Sequence, residues 1–215
     1  MARNQQWHDD YWLLLMQAYL SKPTGLKPVY CRRMVNLSME LHIAPQLLHD
    51  RMKQIALLST PRIKRIWREY SNNPRKLNRA AQLLRQMNGF GMADDFYNGV
   101  DIQETFESDF RPISPDTQFT PVMLTLILNL YFQLTPLTMV AETPEVQALA
   151  RLLRQPVADV VEVLDIFQHC DPYLNRNEVM FSTLFPACQS VWQRFACGAP
   201  EQLEAYARQL EEYFR

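Results

Sequence analysis

Glycine is scarce in this chain, with five residues in 215. A β-rich fold needs glycine at many tight reversals, so the shortage, with ten methionines and abundant leucine, points to helices. Paired cysteines are missing as well. Cys31, Cys170, Cys188 and Cys197 form no CxxC motif and their spacing implies no bridge, the pattern of reduced thiols in a cytoplasmic protein. Long apolar runs are also missing. The most apolar stretch, VMLTLILNLYF at 122–132, falls well short of the roughly 20 residues that cross a bilayer, and the run at 11–20 is shorter still, so no membrane partner is expected. Trp7, His8, Asp9 and Asp10 precede the first apolar run with a single arginine before them, which is not the pattern of a secretory signal.

Chemistry-bearing patterns are equally sparse. His8, His42, His49 and His169 form neither HExxH nor His-x-His, and the consecutive His169, Cys170 and Asp171 diverge on a helix. NGFGM at 88–92 lacks both the GxGxxG spacing and the Lys-Ser/Thr ending of phosphate loops, so it reads as a helix stop followed by Phe90 packing. The adjacent pairs Asp9–Asp10 and Asp94–Asp95 read as helix caps. No catalytic set, metal site or cofactor is expected.

What is present is an ordinary globular balance, 47% apolar and 21% charged, written in helical periods. Met34, Leu37 and Leu41 space a helix over about 30–41. Pro45 opens the next, with Leu48, Met52 and Ile55 on one face. Ser59 or Thr60 and Pro61 start a third, with Ile63, Ile66, Trp67 and Tyr70 inward. Asn73 and Pro74 start a fourth, with Leu77, Ala81, Leu84 and Met87 inward and Gly89 ending it.

The same layout recurs. At a shift of 112, Leu14, Tyr19, Leu37 and Leu41 fall on Leu126, Tyr131, Leu149 and Leu153, and Leu48, Met52 and Ile55 fall on Val160, Leu164 and Phe167. Beyond an insertion around 171–183 the shift becomes 125, bringing Pro61, Ile66, Trp67 and Tyr70 onto Pro186, Val191, Trp192 and Phe195. One residue more aligns Pro74, Leu77, Ala81 and Leu84 with Pro200, Leu203, Ala207 and Leu210. Starts and inward faces are what diverged copies of a packed unit preserve. The expected fold is therefore all-α: an N-terminal arm at 1–10, a basic helical repeat at 11–87, an acidic aromatic connector at 88–122 and an acidic helical repeat at 123–215. In the connector, Phe96, Tyr97, Phe106 and Phe110 are expected to pin to a core, with extended chain near Val100.

MVNLSMELHIAPQLLHDRMKQI at 34–55 resembles the helix-turn-helix module of DNA-binding proteins, with Leu37, Leu41, Ile43, Leu48 and Met52 as its packing set. The resemblance makes the helix opened by Pro45 a recognition helix, with Gln46, His49, Asp50, Lys53 and Gln54 outward. His42 stands where that module usually carries a small residue or glycine. Residues 146–167 resemble the same module, but there the outward positions include Asp159, Glu162 and Asp165, which phosphates repel. The whole chain is similar to an uncharacterised group of all-helical proteins of Bacteroides-type bacteria through TPRIKRIWREY, PRKLNRAAQLLRQMNGFG, QLTPLTMV and HCDPYLNR. That resemblance implies no established activity.

Charge is distributed in opposite poles. Residues 11–87 carry fourteen basic and three acidic side chains, a net +11, against −6 for 88–122 and −5 for 123–215. Helical phase turns Gln46, His49, Lys53, Arg62, Arg65, Arg68, Arg75, Lys76 and Arg79 outward as candidate contacts. A noncatalytic interaction or assembly module fits, its partner a second copy of the chain or an acidic protein. A regulator holding the DNA backbone is the alternative, and an enzyme whose site the sequence does not display is a third.

Overall fold

The computed structural model describes residues 7–90, 105–174, 176 and 182–215. The chain divides into two compact units, Met1–Glu104 and Thr105–Arg215. The first holds α1 (Tyr11–Leu20), α2 (Arg32–Leu41), α3 (Pro45–Ala56), α4 (Pro61–Tyr70) and α5 (Pro74–Arg85). The second opens with a 3-10 turn, Phe106–Phe110, and holds α6 (Pro121–Tyr131), α7 (Pro144–Leu153), α8 (Val157–Cys170), α9 (Phe185–Phe195) and α10 (Pro200–Glu211). The fold is all-α.

Each unit is built around its first helix. α1 buries Trp12, Leu14, Leu15, Met16 and Ala18, leaving it no wide polar face, and such a helix is stable in water only where neighbours surround it. α2, α3, α4 and α5 all pack on it. In the second unit α6 holds the same place, packed by α7, α8, α9 and α10. Buried positions correspond at the shift read from sequence: Leu14 with Leu126, Met34 with Val146, Leu48 with Val160, Met52 with Leu164, Leu77 with Leu203 and Ala81 with Ala207. The units also differ, since α4 packs against α5 in the first and α9 packs closely against α8 in the second.

Local chemistry sets the helix ends. Proline occupies the first turn of α3, α4, α5, α6, α7, α9 and α10, where its missing N–H costs no intrahelical bond. The side chains of Thr60, Asn73 and Thr120 accept hydrogen bonds from the N–H groups of Ile63, Lys76 and Met123. His42 ends α2 in the left-handed conformation at φ 55°, and Arg154 ends α7 likewise at φ 56°. The amide of Ile43 then donates to the Ser38 carbonyl at 3.0 Å, and that of Gln155 to the Ala150 carbonyl at 3.0 Å. Both turns thus carry the six-to-one hydrogen bond of a Schellman closure, made without glycine.

Several expectations are corrected. α2 starts at Arg32, because Cys31 is extended and serves as its N-cap. Met87 faces water at 60% exposure, since α5 stops at Arg85 and the chain turns away from the core. Asp10 makes no side-chain cap on α1, and Asp9 instead pairs with Arg62 at 3.2 Å. Of the connector aromatics, Phe110 is buried and Phe106 half-buried in the 3-10 turn that packs on α6. Phe96, Tyr97 and Val100 lie outside the described residues, as do Asp94 and Asp95.

Candidate functional site

The basic candidates lie on α3, α4 and α5, and the structure sorts them into three groups. On α4, burial of Ile63 and Ile66 turns the opposite side of the helix outward, and Lys64, Arg65 and Arg68 stand exposed there. On α5, burial of Leu77, Ala81 and Leu84 likewise exposes Arg75, Lys76 and Arg79. α4 and α5 pack together, joined by Ser71, Asn72 and Asn73, so these rows belong to neighbouring helices.

Pairing removes some of the cations. Arg62 is drawn toward the preceding arm, its Nε 3.2 Å from Asp9 without hydrogen-bond geometry and its outer nitrogen 3.8 Å from Asp10. Lys76 bonds Glu69 at 2.8 Å and lies over the Tyr70 ring at 5.1 Å. That hydrogen bond holds the Lys76 ammonium above its ordinary range and the Glu69 carboxyl below. Lys64, Arg65, Arg68, Arg75 and Arg79 enter no ion pair among the described residues.

The third group is on α3. Gln46 donates to the Tyr30 hydroxyl, Lys53 pairs with Asp50 at 2.8 Å, and Leu47 is half exposed beside them. His49 is half-buried, and burial followed by Lys53 lowers its affinity for a proton. Gln54 is half-buried too. The outward side of α3 is close to neutral, so the strongest positive surface lies one and two helices downstream of the expected recognition helix.

No family model, curated protein or solved structure matches the chain.

The matching helix of the second unit, α8, is set more deeply than α3. Its Val163 and Ile166 are fully buried at the places where α3 has half-exposed Arg51 and Gln54. Asp165 is bonded by Arg176 at 2.6 Å, which also reaches buried Gln168. His169, Cys170 and Asp171 diverge as their spacing requires. The His169 ring meets the Asp165 carbonyl, and Asp171 accepts the Tyr131 hydroxyl at 2.7 Å. Burial pushes the Cys170 thiol up to about 11 and that of Cys188 to about 12. Among the described residues no three His, Cys, Asp or Glu side chains gather as a metal-binding group, and no helix is long and apolar enough to cross a membrane.

Two features escaped the sequence reading. Lys64 shares the exposed side of α4 with Arg65 and Arg68, and the helical phase of Ile63 and Ile66 already placed it there. The other is a trough along α1 between α2 and α5, lined in part by Arg33, Asn36, Glu40 and Asn78. No sequence signal marks it, because its walls come from helices that are far apart in the chain.

Proposed function

We propose that the chain is a noncatalytic protein-interaction module, whose first unit uses the exposed side of α4 and α5 to dock an acidic protein surface. The observation that carries this reading is the set Lys64, Arg65, Arg68, Arg75 and Arg79: five exposed cations on two adjacent helices, none ion-paired among the described residues. Like charges gathered this way repel one another, and a facing carboxylate surface relieves that repulsion while steering encounter.

A protein partner is favoured over nucleic acid by what continues the row. Leu83, 56% exposed, follows Arg75 and Arg79 at four-residue spacing on α5, and Met87, 60% exposed, lies just beyond the end of the helix. Apolar anchors beside arginines suit a protein interface, whereas a phosphate backbone offers them nothing. A second copy of the chain, through its acidic second unit, is one such partner, giving a homodimer; a different acidic protein is the other. The DNA-binding alternative draws on the α2–α3 pair, whose resemblance to a helix-turn-helix is supported by the tight turn at His42. The near-neutral outward side of α3 counts against it. The common helix order and the matched left-handed helix ends at His42 and Arg154 support descent of both units from one duplicated helical repeat.

The test is a fluorescence anisotropy titration of the full chain with two probes, an alternating Glu-Leu peptide and a random DNA duplex, at low and moderate salt. The expected result is peptide binding that is lost in the Arg65→Glu/Arg68→Glu/Arg75→Glu/Arg79→Glu variant and weakened by Leu83→Ser/Met87→Ser. Tighter binding of the duplex, indifferent to the Leu83→Ser/Met87→Ser change, transfers the site to nucleic acid. Binding of neither probe at low salt removes the docking surface altogether.

A further inference from the structure

The trough in the first unit has a volume of about 1000 Å³. Leu14 and Ala18 of α1 form its floor; Arg33, Asn36 and Leu37 of α2 and Leu77 and Asn78 of α5 form its sides. One end is closed by side chains. Arg85, the last residue of α5, reaches across to both carboxylate oxygens of Glu40 on α2, the second at 2.9 Å. Gln17 joins this bridge, accepting from Arg85 at 3.3 Å and donating to Asn78 at 2.8 Å.

That closure consumes the negative charge of the trough. Among the described residues Glu40 is the only acidic side chain in the lining, and it is matched by Arg85. Arg33 lies toward the other end of α2, exposed and in no ion pair among the described residues. A guanidinium at the wall of a concave surface presents a planar fork of donors that matches a carboxylate or phosphate. The amides of Asn36 and Asn78 add donors and acceptors, and Leu20 and Pro74, which keep accessible surface in the lining, offer apolar contact above the buried Leu14, Ala18, Leu37 and Leu77.

The second unit carries acidic residues at three of these positions. At the shifts that align the helices, Arg33 corresponds to Glu145, Asn78 to Glu204 and Arg85 to Glu211. A site for an anion is therefore confined to the first unit, although the helical framework is common to both.

We infer that this trough binds a small organic anion, a carboxylate or phosphate monoester, with its charged group at Arg33 and its apolar stem along the trough against Leu20 and Pro74. The span of α2 from Arg33 to Glu40 gives the trough a length of about 10 Å, room for such a head group and a short alkyl stem. Arg75 and Arg79 do not line it, so the site is independent of the docking surface on α4 and α5.

Amide NMR titration of the full chain with hexanoate, hexyl phosphate and hexanol tests the assignment. Saturable shifts confined to the trough are expected with at least one of the two anions and not with hexanol, and the anion that saturates identifies the head group. Arg33→Glu weakens that binding about tenfold or more, as expected for a lost charge-assisted bond. Asn36→Trp, an exposed position, keeps the charge but fills the trough and weakens binding too. Arg65→Glu/Arg75→Glu leaves it unchanged, which separates this site from the docking surface. No saturable shift with either anion, equal binding of hexanol, or binding indifferent to both Arg33→Glu and Asn36→Trp overturns the inference.

Discussion

Trp67 meets Tyr19 edge to face, with ring centroids 5.9 Å apart and planes at 73°. Their counterparts Trp192 and Tyr131 meet at 5.6 Å and 76°. In each unit the pair joins the central helix to the fourth, and in the second unit Trp192 also lies against Phe132 and Phe167. Truncating Trp192 to alanine therefore removes more packing than truncating Trp67. Urea unfolding followed by circular dichroism should show Trp192→Ala losing about 3–5 kcal/mol, with a smaller loss for Trp67→Ala. Equal losses would show that the added aromatic neighbours contribute nothing.

Tyr131 gives the second unit an alkaline limit. Burial, with help from its hydrogen bond to Asp171, holds the phenol well above its ordinary range, and Cys188 is pushed up to about 12 by burial. The folded state thus retains protons that the unfolded chain releases earlier. This stability is fully present below the unfolded values, near 8.5 for cysteine and about 10 for tyrosine, and is lost as pH rises through the folded ones. Tyr131→Phe should cost about 1 kcal/mol near neutrality and flatten the decline above about pH 10. An unchanged alkaline slope in thermal melts of the variant would remove Tyr131 from the account.

Arg154 and His42 each hold a left-handed turn that glycine adopts without a Cβ penalty. Arg154→Gly is expected to raise stability by about 0.5–1 kcal/mol, because relief of this strain exceeds the extra chain entropy that glycine brings. His42→Gly follows the same sign, reduced by the interactions its side chain makes. A fall in melting temperature for Arg154→Gly would mean that its side chain contributes more than the turn costs.

Ser38 is buried on α2, and its hydroxyl has no hydrogen-bond partner. The second unit places Ala150 at the corresponding position, also buried. Ser38→Ala should be neutral or stabilising by up to about 1 kcal/mol, since it removes an unsatisfied polar atom and little volume. Clear destabilisation in denaturant would reveal a hydroxyl partner, such as a trapped water.

Cys197 is exposed while Cys188 is fully buried in α9. A thiol reagent added to the native chain should modify Cys197 first and reach Cys188 only at the rate of unfolding. Prompt labelling of Cys188 followed by mass spectrometry would indicate an open α9.

Helix starts were legible because they are local. Pro61 behind Thr60 and Pro74 behind Asn73 carry their own instructions within a few residues, and the hydroxyl and amide caps form where the sequence placed them. Helix stops were less legible. His42 offered no glycine signal, yet packing of Leu41 and Ile43 on either side holds it in the turn. Met87 read as inward only if α5 continued, and the chain turns after Arg85.

Composition and periodicity alone determined the helical class, the order of the helices, most of the inward residues and the unequal charge of the halves, because each depends on residues a turn apart or on simple sums. Tertiary structure decided which charges are spent. Arg62 meets Asp9, Arg85 meets Glu40 and Lys76 meets Glu69, whereas Arg65, Arg68, Arg75 and Arg79 stay outside any ion pair among the described residues. The same placement made the trough along α1, whose sides are more than thirty residues apart in the chain. Coulomb attraction and cavity shape depend on distance in space, and only packing around α1 sets those distances.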